Sequence, residues 1–147
     1  MKHNSTLTES VERLPCLNLS LRKATRVMNR IYDQQLSQAG VNVGQFSILR
    51  AVSKLGETTN KQLQSVLAMD QTTLTRNLKP LTRDGLIRVT PGEDRRQRIL
   101  TLSEHGLAVY RGAETYWLQA QREVYQHLGP ELSQQLLGLS QAIVKLD

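Results

Sequence analysis

Hydroxyl and cationic side chains occur together in the segment MDQTTLTRNLKPLTRDG, which begins at residue 69. On a helix each residue is turned by about 100° from the last, so residues three and four apart share a face. Leu74, Leu78 and Leu81 then form one face. The opposite face carries Thr72, Thr75, Arg76, Lys79 and Arg83. Small hydroxyls near base edges and long cations near phosphates suit a helix in the DNA major groove, although a solvated surface can carry the same residues.

A second group of cations lies in the segment PGEDRRQ, between two segments that alternate apolar and polar residues. LIRVT and RILTL predict two antiparallel strands, and the Pro-Gly pair predicts the turn between them. The tip of this hairpin carries Arg95 and Arg96, and a cation there can enter the minor groove. Asp94 is predicted either to orient a neighbouring arginine by a charge-assisted hydrogen bond or to be an ordinary turn residue.

Three predicted helices position these residues. Apolar residues recur at helical spacing from Leu17 to Gln38, from Gly44 to Leu55, and in KQLQSVLAM after an N-cap at Thr59 or Asn60. The buried side of the third helix is predicted to hold Leu63, Val66 and Leu67. Asp70 is the expected N-cap of the cationic helix. A short helix, a tight turn and a helix with an outward polar face form a helix-turn-helix.

Two further helices are predicted after the hairpin. Ser103 can cap a helix that runs to about His127, and Gly129-Pro130 separates it from a last helix. These helices and the first one have more apolar surface than a small domain covers, which favours pairing with a second copy. Packing of all three within one monomer is the alternative.

Composition limits the class of protein. The net charge is +6, and residues 71–98 hold seven basic and three acidic side chains, which favours a polyanionic partner. A single cysteine excludes an intramolecular disulfide and fits the cytoplasm. The sequence shows no signal peptide and no membrane span. The three histidines lack metal-ligand spacing, and no catalytic pair or phosphate-binding glycine loop occurs, so we expect no metal, no cofactor and no enzyme activity.

The order of these elements and two of the segments resemble the MarR (multiple antibiotic resistance regulator) family from about Cys16 to Leu146. MDQTTLTRNLKPLTRDGLI is similar to the family's recognition helix and following strand, and GEDRRQRILTLSEHG to its wing signature. The resemblance implies a mainly α fold with a small β-hairpin wing (α+β), that is, a winged helix-turn-helix with long terminal dimerisation helices. Residues 1–147 are then one winged-helix unit, in which 44–102 bind DNA and 14–39 and 103–147 dimerise.

The resemblance also implies a function and site residues. Family members are dimers that bind pseudo-palindromic operators, and many release DNA when a small molecule or an oxidant acts on them. By motif position the groove-facing residues are Gln71, Thr72, Thr73, Thr75 and Arg76, and the wing pair is Asp94 and Arg96. Arg95 is added by adjacency, and Arg98 as a further cation near the wing. We therefore expect a sequence-specific transcriptional repressor that binds double-stranded DNA as a homodimer.

The resemblance also implies a site of regulation, since effectors in the family often bind between the winged domain and the dimerisation helices. Tyr32, Tyr110, Tyr116 and Trp117 are the aromatic residues that can line such a pocket, and core packing is the alternative for each. Cys16 is the candidate site for an oxidant, because a helix N-terminus favours the reactive thiolate, but a lone cysteine can also be inert and buried. A winged domain that docks another protein without specific DNA binding is the alternative function.

Overall fold

The computed structural model describes residues 10–147, and the N-terminal residues 1–9, on which part of the signal-peptide expectation rests, lie outside that range. The chain forms two compact units. One contains the described residues as far as Ile31, and the other is Tyr32–Asp147. No helix in residues 10–147 combines the length and the apolar character that a membrane span requires.

The described chain contains helices and one antiparallel hairpin, which confirms the predicted fold class. The elements are α1 (Leu17–Leu36), α2 (Val43–Leu55), α3 (Asn60–Leu67), α4 (Gln71–Arg83), β1 (Ile87–Pro91), β2 (Arg98–Leu102) and α5 (Glu104–Val144). A 3-10 turn, Ser37–Ala39, follows α1 and ends at Gly40 in the left-handed conformation. The α3–turn–α4 segment is the predicted helix-turn-helix.

The apolar faces of α2, α3 and α4 meet in one core. Phe46, Leu49 and Val52 of α2 are buried there with the predicted leucine face of α4. The prediction for α3 is wrong at Val66, which is 60% exposed, whereas Leu63 is fully buried. With only eight residues, α3 reaches the core through Leu63, and Val66 is turned about 60° away from that contact.

The hairpin has the register that its alternation predicts. Ile87 pairs with Leu102 and Val89 with Leu100. An isolated bridge adds a third segment, because Thr58 and Leu100 exchange backbone hydrogen bonds of 3.1 and 2.8 Å. Thr58 is 1% exposed, so the segment before α3 closes over the middle of β2.

α5 is two helices in one, as the Gly129-Pro130 pair predicts. Gly129 has φ 78° and ψ 171°, which interrupts the helix before Pro130. Before the break, Tyr110, Ala113 and Ala120 are buried. After it, the apolar residues Leu132, Leu139, Ile143 and Leu146 are exposed.

Side chains cap four of the helices. In each, the residue before the helix accepts a backbone N–H three residues on: Asn42 from Gln45 at 2.8 Å, Thr59 from Gln62 at 3.2 Å, Asp70 from Thr73 at 2.7 Å, and Ser103 from Gly106 at 2.9 Å. These bonds satisfy donors that a helix otherwise leaves without a partner. They confirm the predicted caps at Thr59, Asp70 and Ser103.

The cap at Asp70 makes the start of α4 depend on pH. The backbone N–H of Thr73 lowers the pKa of the Asp70 carboxyl below its ordinary value of 3.8, and the nearby charge of Arg76 acts in the same direction. Because the folded state has the lower pKa, the carboxylate stabilises the fold above the ordinary pKa. That stabilisation is lost as pH falls through the folded-state pKa.

We expect Asp70→Asn to keep an oxygen acceptor for Thr73 but to lose the charge. The variant should unfold at lower urea concentration than the wild type at neutral pH, and the difference should vanish in acid. Urea unfolding of both proteins from about pH 7 to about pH 2 measures this. A stability difference that does not change with pH would show that the charge contributes nothing to the cap.

Candidate nucleic-acid interface

The solvent-facing side of α4 carries nearly all the residues predicted for the major groove. Gln71, Thr72, Thr75, Arg76 and Lys79 are exposed. Thr73 is half-buried, and its backbone is engaged at both ends. Its N–H binds the Asp70 carboxylate, and its carbonyl accepts the Asn77 side-chain amide at 3.0 Å. Thr73 therefore offers less side chain to a groove than its neighbours do.

Most of the cations on this surface have no acidic partner. In the part of the chain that the structure describes, one ion pair is formed, between Arg83 Nε and Asp84 Oδ1 at 3.0 Å. That bond lowers the pKa of the Asp84 carboxyl and raises the pKa of Arg83. The charge of Arg83, at the end of α4, is thus compensated, whereas Arg76 and Lys79 form no ion pair with the described residues.

The wing tip is a hydrogen-bonded loop that presents two arginines. Gly92 N–H binds Gln97 O and Gln97 N–H binds Asp94 O, both at 2.8 Å. Asp94 Oδ1 accepts the backbone N–H of Arg96 at 3.2 Å. The carboxylate therefore orders the backbone and binds no guanidinium, which agrees with the turn-residue alternative. Arg95 and Arg96 are exposed.

A groove of about 240 Å³ lies between α4 and the hairpin. It brings together three of the predicted contact residues, Thr75 and Lys79 from α4 and Arg98 from β2. Leu78, Val89 and Leu100 supply its apolar lining. Arg98 alternates with Ile99 along β2 and shares the strand face of Leu100. It lies in β2 and not at the wing tip, and it lines the same groove as Lys79.

The aromatic residues predicted to form an effector pocket lie around one stretch of α5. The ring of Phe46 in α2 is 5.6 Å from that of Tyr110 and 6.0 Å from that of Trp117. Tyr32 hydrogen-bonds to Gln121, one helical turn beyond Trp117. Tyr116 is half-buried against the same core. Burial raises the pKa of both Tyr32 and Tyr110.

Arg50 is the residue in this cluster that sequence reasoning missed. Its guanidinium carbon is 4.3 Å from the centroid of the Trp117 ring, a cation–π contact. Its Nη1 is buried without a hydrogen-bond partner among the described residues. The sequence held one sign of this contact. Arg50 follows Phe46 by four residues, so the two side chains share the inward face of α2. The partner in α5 was not visible in the sequence.

Cys16 lies just before α1 and is exposed, so it is not buried within the described chain. Its Sγ accepts the backbone N–H of Leu19 at 3.4 Å, in the position of a helix cap. In residues 10–147 no three His, Cys, Asp or Glu side chains are grouped to hold a metal ion.

Comparison with known proteins identifies the family. A model of the MarR family matches residues 41–97. The Bacillus subtilis protein YwoH, an uncharacterized HTH-type transcriptional regulator, is 25% identical over 104 residues, which cover 71% of this chain and 76% of YwoH. The transcriptional regulator MosR of M. tuberculosis, crystallised in complex with DNA, is 34% identical, with 88% of this chain and 96% of MosR covered and a TM-score of 0.77.

Bordetella bronchiseptica BpsR, whose DNA binding is regulated by 6-hydroxynicotinic acid, has the same fold at 21% identity, with 88% of this chain and 93% of BpsR covered and a TM-score of 0.78. MosR, at higher identity, aligns over nearly its whole length. The chain therefore belongs to the MarR family, whose members are DNA-binding transcriptional regulators and not enzymes.

Proposed function

We propose that this protein is a cytoplasmic repressor that binds a pseudo-palindromic operator as a homodimer and releases it in response to a small molecule or an oxidant. The observation that carries the proposal is the surface of exposed hydroxyls and uncompensated cations that extends from α4 to the wing tip. In this proposal residues 44–102 bind DNA, and residues 14–39 and 103–147 dimerise. The DNA complex of MosR supports the DNA-binding part.

The two ends of α4 have different roles in this proposal. Gln71, Thr72 and Thr75 are short polar residues near its start, where a recognition helix meets base edges, and they select the sequence. Arg76 and Lys79 reach phosphates and give affinity without selecting a sequence. A phosphate between α4 and the hairpin is held by Lys79 and Arg98, which flank the same groove.

The wing supplies the contact outside the major groove. The backbone of Arg96 is held by Asp94, so the loop is ordered before DNA arrives. An arginine presented in this way is attracted to a narrow minor groove, where the potential is most negative. We assign that role to Arg96, with Arg95 beside it at the adjacent backbone.

The proposed dimer rests on apolar side chains at both ends of the chain. Leu17 in α1 is 74% exposed and Leu146 after α5 is 85% exposed. Burying such residues against a second copy is favoured by about 25 cal/mol per Å² of apolar surface. A two-fold dimer places two recognition helices about one turn of DNA apart and so requires an inverted repeat. When such an operator overlaps a promoter, the bound dimer excludes RNA polymerase and so represses transcription.

Two features support regulation. Tyr110 and Trp117 attach α5 to Phe46 of α2, and a small molecule that enters between Tyr32, Tyr116 and this stack changes that attachment. The regulation of BpsR by 6-hydroxynicotinic acid shows that a protein of this fold can respond to a small aromatic acid. Cys16 is exposed to oxidants, and its sulfur binds the first turn of α1.

The first experiment is selection of sites from a pool of random duplexes by the purified protein, followed by titration of the selected sites at two salt concentrations. We expect an inverted repeat and an affinity that falls steeply with salt. Binding that depends on salt but selects no motif would contradict the repressor proposal and indicate an architectural role. No binding would move the protein-docking alternative to first place.

Arg76→Ala and Arg96→Ala test the phosphate and wing contacts. Each should reduce the slope of log affinity against log salt by about two per dimer, because both protomers lose the cation and each neutralised phosphate contributes about 0.9. Arg96→Ala should also weaken the preference for A·T flanks. Arg111→Ala is the matched control, since it removes the same charge from an exposed position on α5. An equal loss of slope in all three variants would assign the effect to overall charge.

Cys16→Ser tests the response to oxidant. Hydrogen peroxide converts an exposed thiolate to sulfenic acid and is itself reduced to water. We expect this treatment to lower the operator affinity of the wild type and to leave that of Cys16→Ser unchanged, as measured by fluorescence anisotropy. The same loss in both proteins would remove Cys16 from the regulation and leave the aromatic cluster as the proposed effector site.

A further inference from the structure

The turn between α4 and the hairpin is bonded directly to the start of α5. Leu86 O accepts the backbone N–H of Ser103 at 3.0 Å, and Gly85 O accepts the Ser103 hydroxyl at 2.5 Å. The same hydroxyl oxygen accepts the N–H of Gly106 at 2.9 Å and so begins the helix. Ser103 and Leu86 are both buried, so water does not compete for these bonds.

Gly106 brings the two backbones closer than any other residue allows. A Cβ built at this position is 2.0 Å from Leu86 O and 2.8 Å from the Leu86 carbonyl carbon. The obstacle is main chain, which cannot swing aside as a side chain can. Gly106 has no left-handed backbone conformation to explain the glycine. A glycine is therefore needed at residue 106 because the α5 backbone passes too close to Leu86 to leave room for a Cβ.

Leu86 also connects this contact to the recognition helix. Its N–H binds Leu81 O, in the last turn of α4, at 2.9 Å. A continuous set of main-chain contacts thus leads from α4 through Leu86 to Ser103 and Gly106 of α5. We call these residues (Leu81, Leu86, Ser103 and Gly106) the helix joint. Through the helix joint, the end of α4 and the start of α5 share one backbone attachment.

The length of α5 amplifies any tilt at the helix joint. From Glu104 to the break at Gly129 the helix is about 37 Å long at 1.5 Å per residue. A tilt of about 10° at one end displaces the other by about 6 Å, and one base-pair step is about 3.4 Å. If the last helix is held in the dimer, a small change at the helix joint moves the recognition helix by more than one base pair.

We propose that Ser103 and Gly106 are positioning residues that set the distance between the two recognition helices, and thereby the half-site spacing that the protein selects. The inference rests on the proposed function, because it needs a homodimer joined through the terminal helices. It assigns spacing specificity to residues that touch no DNA. Base contacts then decide the sequence of each half-site, and the helix joint decides how far apart the half-sites lie.

The test compares wild type, Gly106→Ala and Gly112→Ala on the selected operator and on versions with spacers one or two base pairs shorter or longer. Gly112 is a matched control, because a Cβ on this glycine of the same helix meets nothing within 4 Å. Wild type and Gly112→Ala should prefer one spacing by at least about tenfold, roughly the cost of one wrong contact. Gly106→Ala should prefer another spacing, or lose most of that preference.

A merely structural role has a different signature. It would lower the thermal midpoint and weaken binding at every spacing by the same factor, with the order of spacings unchanged, and that result would overturn the inference. Should Gly106→Ala not fold, Ser103→Ala keeps the backbone bond to Leu86 and loses only the hydroxyl. It should broaden the spacing preference, and Ser103→Thr, which restores a hydroxyl, should recover it. No change in Ser103→Ala would equally overturn the inference.

A distance measurement separates this inference from the proposed function. A spin label at Arg88→Cys in a Cys16→Ser background lies on the exposed outer face of β1. The wild-type dimer should give one narrow distance between labels, and Gly106→Ala a shifted or broader one. An identical distance in both would overturn the inference alone. The absence of any dipolar signal would show a monomer and overturn the proposed dimer with it.

Discussion

The direction of the polar face of α4 depends on the burial of three leucines. Leu74, Leu78 and Leu81 reach the core in only one rotation of α4 about its axis, and all three are buried. Each such side chain contributes about 1.5–3 kcal/mol when it leaves water, whereas an exposed ion pair contributes at most about 1 kcal/mol. The core therefore sets the direction of the hydroxyls and cations. The hydroxyls and cations themselves contribute little to holding the helix in place.

The ends of the helices and the wing loop are also held by residues other than the exposed cations. Four helices begin with a capping side chain that accepts a backbone N–H of the first turn. The capping residues are Asn42, Thr59, Asp70 and Ser103, and their hydrogen bonds restrict the segments between the helices. The wing loop is closed by its own backbone and by Asp94. Connections of this kind hold the polar face of α4 and the wing loop in defined positions.

Local signals in the sequence predicted the elements, three of the four caps and the exposed face of α4, because helical spacing, capping residues and strand alternation act over a few residues. The cap at Asn42 was not predicted. One prediction was wrong and one contact was missed, because local spacing alone does not determine burial or long-range contacts. Val66 has the right spacing for burial, but α3 is too short to cover it. Arg50 and Trp117 meet through the packing of two helices far apart in sequence, and one sequence alone does not reveal that contact.

The candidate site shows the same limit. The sequence showed the residue types of α4 and of the wing. It did not show that Arg98 lines the same groove as Lys79, or that Asp94 accepts the backbone N–H of Arg96, because these depend on how the hairpin packs and how its loop bends. Each is a matter of a few ångströms. Composition sets the total charge, and only tertiary structure sets which charges share a groove.

Because Thr58 and Leu100 form a bridge, the wing is complete only after the segment before α3 has packed against β2. An isolated two-stranded hairpin is marginal in water, and this one gains a third backbone partner only from a segment that precedes α3. The loop between those residues, which contains the whole recognition helix, must close before the bridge forms, and its closure costs chain entropy. An unfolded or partly synthesised chain carries the same arginines but has no wing. Its attraction to nucleic acid is therefore only that of a flexible polycation, and selective binding begins with tertiary closure.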